Sequence, residues 1–160
     1  RVAIAPFEPL GGLPLFTPRA FIRTPRGVIE IHLNIVEAPA SCAAFAWLAR
    51  RGFYDGVAVD AIIPGVAAWS GSPRGDASSG PGFALRSELG ERSFGRGAVG
   101  LVRTAGGRDT EGSRFVITLA PAPELDGAAT LLGWVASGLD VVARLRPGDI
   151  IERVEIWDGR

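Results

Sequence analysis

Six short apolar runs, each cut off by glycine or proline, fill the chain from residue 57 to 157: "VAVDAIIPG", "GVAAWSG", "GAVGLVRT", "SRFVITLA", "ATLLGWVA" and "IIERVEIW". Runs of this length predict strands, because a helix needs a longer stretch of 3.6-residue periodicity that glycine and proline interrupt. Upstream, Arg19 to Asn34 predicts a hairpin. There "AFIRT" meets "GVIEIHL" across Pro25-Arg26-Gly27, and Ile29, Ile31 and Leu33 alternate with Glu30 and His32. Only two stretches have helical character. Pro39 suits a first turn, "SCAAFAWLARR" follows it, and Gly52 is a C-terminal stop. The second is "LDVVARLR", residues 139–146, ended by Pro147-Gly148. Many short strands with two helices predict a mainly β chain that is closed or sandwiched on itself.

At 160 residues the chain is about one domain, long enough to bury roughly two-thirds of its unfolded surface. Seventeen basic residues balance 17 acidic ones with no long run of either sign. That argues against nucleic acid as the main partner, since phosphate recognition needs a basic surplus on some face. No apolar stretch reaches the ~20 residues of a membrane span. All 17 basic residues are arginine; lysine, methionine and glutamine are absent, and Asn34 is the lone asparagine. The bias fits a GC-rich bacterial genome first, and a heat-adapted source second, which would also shed labile side chains. Without a starting methionine, the chain reads as processed or as a domain of a longer protein, with any targeting segment upstream. Residues 1–20 hold Pro6, Pro9, Pro14, Pro18 and Gly11-Gly12. This is the composition of an extension or linker, which places the domain proper at residues 21–160.

The ionisable residues do not assemble an obvious reaction centre. His32 falls on the polar phase of a strand with no serine or cysteine nucleophile motif, so it reads as a solvated strand residue. Cys42 lies in an apolar run and reads as a small buried hydrophobe. Asp55, Asp60, Asp109 and Glu111 belong to different loops and lack cysteine or histidine at ligand spacing, so no metal site is expected. The glycines of "GRGAVG" and "TAGGRDTEG" precede no long helix, so they read as turns, and no cofactor is expected. "VAVDAIIPGVAAWSGSPRGD", Val57 to Asp76, has the strand–turn–strand–loop outline of a site rim. Yet Asp60 is the only ionisable side chain between Ala58 and Ser72.

The order of motifs resembles the cyclophilin-type peptidyl-prolyl isomerases. "GFYDG" (Gly52–Gly56), "IIPG" (Ile62–Gly65), "GPGF" (Gly80–Phe83), "DTEGSRFVIT" (Asp109–Thr118), "LDG" (Leu125–Gly127) and "GLDVVARLRPGD" (Gly138–Asp149) follow the family's order and spacing. The resemblance runs from about residue 20 to 158. It implies an eight-stranded antiparallel β-barrel closed by two α-helices, with a proline-binding groove on its outer face. It also implies a proline-containing peptide or protein segment as partner, or else neighbouring domains of a larger chain. In that family an arginine aimed at the X-Pro amide favours the twisted transition state over the planar ground state, against a barrier of ~18–20 kcal/mol.

Carried over by position, the resemblance puts the arginine at Ala61, within Val59-Asp60-Ala61. The pocket wall falls on Val66 and Ala67, and the supporting glutamine on Trp69. The backbone-binding asparagine corresponds to Ala105, preceded by Thr104, and the pocket floor to Arg114-Phe115-Val116. The pocket's tryptophan corresponds to Glu124 and its histidine to Ala129, while Leu125 keeps its type. Val66, Ala67, Trp69, Thr104, Ala105, Arg114, Val116, Leu125 and Ala129 are therefore the expected substrate-binding residues. Losing one transition-state donor costs ~10²–10³ in rate. A non-catalytic binding or structural module is thus expected, with a divergent, weakly active isomerase assisting protein folding as the alternative. In that alternative Arg114 substitutes for the arginine, or Arg103 approaches from the adjoining side, although a solvated or salt-bridged surface arginine is the favoured reading of both. Trp69 has two readings: it fills the hollow left by its small neighbours, which is favoured, or it presents a face on which a ligand stacks.

Overall fold

The computed structural model describes residues 17–103 and 109–159. Residues 1–16 of the stretch expected to be an extension or linker lie outside them, as do the expected site residues Thr104 and Ala105. Arg19–Thr24 (β1) and Gly27–Leu33 (β2) pair antiparallel with Thr24 opposite Gly27, forming the hairpin that the alternation predicts. Ala20, Ile22, Ile29, Ile31 and Leu33 turn inward, while Arg19, Phe21, Glu30 and His32 face out and are only half-buried. The six apolar runs each contribute one strand: Ala61–Ile63 (β3), Ala67–Ser70 (β4), Ala98–Leu101 (β5), Phe115–Thr118 (β6), Thr130–Ser137 (β7) and Arg153–Trp157 (β8).

All pairings are antiparallel, in the order β3-β4-β6-β5-β7-β2-β1-β8. The residues just before the two outermost strands bring the sheet round on itself. Val59 N–H donates to the Asp149 carbonyl at 2.7 Å, and Ile151 N–H donates to the Val57 carbonyl at 2.8 Å. Strands β3 and β8 therefore do not end as bare edges, where unpaired backbone would recruit other chains.

Pro39–Arg50 (α1) plugs the barrel with its alanine-rich face; Phe45 and Leu48 join the core. Its first turn has no capping side chain of its own. Instead Glu88, far along the chain, accepts from Ala40 N–H at 3.2 Å and Ser41 N–H at 2.6 Å, satisfying two of the open donors at a helix start. Gly52, at φ +72°, closes the helix by donating to the Ala49 carbonyl, a left-handed turn that suits glycine. Behind α1, Phe45, Tyr54 and Phe115 form an aromatic group with ring centres 5.2–6.2 Å apart, and Tyr54 O–H donates to the Ser113 carbonyl.

The second helix is shorter than its sequence predicts, Leu139–Arg144 (α2) instead of residues 139–146. Pro147 disfavours helical geometry at Arg146, and Leu145 turns extended (φ −60°, ψ 148°) so that its side chain enters the core. No described helix is long and apolar enough to cross a membrane.

Candidate functional site

Strands β4, β6 and β5 carry the site on their outer face. Ala67 stands opposite Thr118 and Trp69 opposite Val116, and Gly100 lies opposite Val116 from the other side. Because side chains two apart share a face, Ala67, Trp69, Val116 and Thr118 make one outward surface. Gly100 is needed beside it, since a Cβ there would sit 2.8 Å from the ring of Phe94. Phe94 packs with Ala98, Ala122 and Leu131 into a small apolar cluster outside the barrel, joined by Leu125 and Ala129. This cluster explains why β5 and β6 are buried on both faces. It is held in place by Phe94 N–H donating to the Asp126 carboxylate at 2.6 Å and Ala122 N–H donating to the Phe94 carbonyl at 2.8 Å.

Between this wall and the strands lies a groove of about 540 Å³, within the usual range for ligand sites. Ile63 and Val66 stand at its rim, 51% and 47% exposed. The hollow inside the barrel is only about 20 Å³, so ligand-sized space exists on the outside. Val66, Ala67, Trp69, Val116, Leu125 and Ala129 converge on the groove as expected from the sequence, together with Glu124. Thr118, Val102 and Ala122 line it as well. Thr118 was legible by strand alternation from Val116; Ala122 was not, because it arrives through a loop. The indole of Trp69 leaves the groove open, against the favoured expectation that it fills the space. Its neighbours along the row, Ala61, Val116 and Gly100, are too small to close what one indole leaves. Ala61 is half-buried at the start of β3, directly across from Trp69, and carries no polar group.

Arg114 does not enter the groove. Its Nε donates to Asp60 Oδ2 at 3.1 Å and its Nη2 to Oδ1 at 2.7 Å, a two-pronged pair with side chains 17% and 4% exposed. It lines a separate hollow of about 60 Å³ with Ser78, Pro81, Phe83 and Gly112. Arg103 borders both hollows. Its Nε reaches Glu111 Oε1 at 3.4 Å, and Glu111 is fully buried with Ser87 Oγ at 2.7 and 3.0 Å from its two oxygens. Ser87 N–H in turn donates to Asp109, which adopts φ +63°, uncommon for a residue with a side chain. Among the described residues no group of three or more histidine, cysteine or acidic side chains is placed to hold a metal ion.

The other titratable candidates have structural surroundings. His32 is half-buried on the outer face, 3.3 Å from Glu30 and edge-on to Trp134. Cys42 is fully buried; burial first, then the nearby Glu88 charge, pushes its thiol up from the ordinary range. In the loop beside the smaller hollow, Asp76 is held well below the usual carboxylate range. Its oxygen accepts the N–H groups of Ser79 and Ser78, at 2.8 and 2.9 Å.

Residues 20–156 match the profile of one family, described as cyclophilin type peptidyl-prolyl cis-trans isomerase/CLD. The chain belongs to the cyclophilin family. It is 36% identical over 128 residues to peptidyl-prolyl cis-trans isomerase B of Bacillus subtilis, covering 80% of this chain and 90% of that protein. A peptidyl-prolyl cis-trans isomerase of Helicobacter pylori is 36% identical over 142 residues, covering 86% of each. The human peptidyl-prolyl cis-trans isomerase-like 1 is 37% identical over 131 residues, 80% of this chain and 79% of that one. A cyclophilin of Cryptosporidium parvum, solved in the presence of the dipeptide Ala-Pro, superposes with a TM-score of 0.81 at 23% identity, covering 87% and 98% of the two chains. The cyclophilin fold is thus shared across sequences that differ at most positions.

Proposed function

We propose that this cyclophilin domain binds proline-containing segments in the groove between β4–β6 and the Phe94 cluster, and that it isomerises them poorly if at all. The absence, among the described residues, of a free guanidinium over the groove floor carries the reading: position 61 is alanine, Arg114 is committed to Asp60, and Arg103 at the border reaches Glu111. An apolar groove with Trp69 on its floor can take a proline ring by burial, at ~25 cal/mol per Å² of apolar surface. Rate acceleration needs more, namely a donor that bonds the amide nitrogen better when it is twisted than when planar. Without that donor the transition state and ground state are held alike, and the expected loss is ~10²–10³ in rate.

NMR exchange on an Ala-Pro tetrapeptide tests both halves at once. Binding should shift the Trp69 indole signal, while cis–trans exchange stays at least ~10²-fold slower than with an ordinary cyclophilin. Exchange within tenfold of such an enzyme would overturn the non-catalytic half; an unmoved Trp69 signal at saturating peptide would overturn the binding half.

One observation favours a second reading, a divergent isomerase. Arg103 borders both the groove and the smaller hollow, and its bond to Glu111 is long at 3.4 Å. If the domain isomerises, Arg103→Ala should remove the activity and Arg114→Ala should leave it.

A further inference from the structure

The loop that leads into β5 faces two ways. Phe94 is buried in the apolar cluster beside the groove, whereas Arg92, Ser93 and Arg96 around it are exposed. Together with Ala98, Leu131 and Trp134 these three line a hollow of about 230 Å³. Ala98 and Leu131 also belong to the Phe94 cluster, so the hollow backs onto that cluster. It shares no lining residue with the proline groove.

The two cations of the hollow keep their donors open. The Arg92 guanidinium lies 4.7 Å from the Trp134 ring centre, within the ~6 Å over which an aromatic face attracts a cation. Trp134 is in turn met edge-on by His32. A guanidinium stacked in this way still presents its planar fork of N–H donors at its rim. Its nearest carboxylate, Glu37, is 4.0 Å from Nε and is occupied elsewhere. Glu37 Oε1 accepts from the Asn34 amide at 3.3 Å, and Oε2 accepts from Glu91 N–H at 3.1 Å. Arg96 has no ion pair among the described residues, and neither guanidinium nor the Ser93 hydroxyl makes a hydrogen bond there.

Size and charge select the ligand. The hollow is below the ~300–1,000 Å³ of small-molecule sites, so it holds one head group and not a whole cofactor. Two guanidiniums and a hydroxyl above an apolar floor match an anion rich in acceptor oxygens. A phosphate monoester carries about −1.5 to −2 in charge and one more oxygen than a carboxylate. It balances two arginines where a carboxylate leaves a surplus, and its oxygens accept both forks at once.

We propose that the hollow formed by Arg92, Ser93, Arg96 and Trp134 is a second ligand site, which takes the phosphate of a phosphorylated serine or threonine on a partner protein. Arg92 and Arg96 bond the phosphate oxygens, Ser93 donates its hydroxyl, and the carbon stem of the modified residue lies over Leu131 and Trp134. The choice of a protein as carrier rests on the groove taking peptides as proposed above; the phosphate site does not.

The test follows the Nε–H signals of Trp134, Arg92 and Arg96, with the Trp69 indole as control, by NMR on the full chain. The probe is acetyl-Gly-phosphoserine-Gly-amide, which contains no proline. It should move the three signals of the hollow, leave Trp69 in place, and bind at least about 10-fold more tightly than its serine or glutamate form. Arg96→Gln, at an exposed position, should weaken binding about 10-fold with an unchanged melting temperature. Arg92→Lys should weaken it as well although the charge is kept, because the flat fork is lost. Equal binding of the glutamate peptide would make the hollow a carboxylate site and overturn the phosphate assignment. Inorganic phosphate binding as tightly as the peptide would make the ligand a free ion and overturn the protein carrier. Tighter binding of a short oligothymidylate would give the hollow to nucleic acid and overturn the carrier too. Unmoved signals at about 10 mM peptide, above even a weak Kd of about 1 mM, would overturn the site itself. These outcomes are separate from those of the groove, whose probe is the Ala-Pro tetrapeptide read at Trp69.

Discussion

Replacing Asp60 by alanine removes one half of a nearly desolvated ion pair and leaves Arg114, whose side chain is 17% exposed, without its carboxylate. Breaking a buried pair this way costs ~3–5 kcal/mol, because the remaining charge keeps its desolvation penalty and loses its compensation. Arg114 can recover some hydration at its exposed edge, so about 3 kcal/mol is expected. With a urea slope of ~2 kcal/mol per M, the unfolding midpoint should fall by about 1.5 M. Arg114→Ala should cost a similar amount, since Asp60 is only 4% exposed. The double variant should lose less than the sum of the two, with a coupling of ~2–3 kcal/mol read from the four-member cycle. A loss below about 1 kcal/mol for Asp60→Ala, or full additivity in the double variant, would refute the view that this pair is held out of water.

Acid should weaken the fold partly through Asp149. Its carboxyl is held below the ordinary range, first by the Arg26 fork at 2.9 and 3.1 Å and then by the N–H of Arg146. A depressed folded value stabilises above the ordinary carboxylate pKa of ~3.9 and is lost as pH falls through the folded value. Thermal melts of the chain and of Asp149→Asn should therefore differ at pH 7 and converge towards pH 2–3; a constant gap would contradict this. Gly133→Ala should be among the most damaging small changes, because its Cβ would lie 2.2 Å from the backbone oxygen of His32 across β2–β7. A loss of about 3 kcal/mol in denaturant unfolding is expected, and a near-neutral result would mean that the two strands shift apart freely. Cys42 should resist alkylating reagents until the chain unfolds, since it is buried and its thiol is pushed up. Labelling faster than global unfolding, read by mass spectrometry, would show that α1 opens locally.

Much of the fold was open to reading along the chain because its signals are local. Alternation marked β1 and β2, and glycine and proline punctuation marked the remaining six strands. The helix at Pro39 was legible from its composition, but its cap was not, since Glu88 comes from 47 or more residues away. The groove was legible only in part. Val66, Ala67, Trp69, Val116, Leu125 and Ala129 could be aligned by motif order, and they meet in one hollow. Whether Arg114 faces that hollow was beyond the sequence, because its direction is set by Asp60, 54 residues earlier.

The sequence by itself determined the family, the eight strands and the small apolar side chains along the groove. The strands and the groove's side chains follow from residue type and spacing, which each short segment carries alone; the family follows from the resemblance of six motifs in their order along the chain. Tertiary structure decided that the groove stays open beside Trp69, that Arg114 is tied to Asp60, and that Arg92 and Arg96 share a hollow with Trp134. Those outcomes depend on which surfaces and charges meet when distant strands pair. A long arginine side chain takes its direction from the partner the fold supplies, and no local pattern specifies that partner.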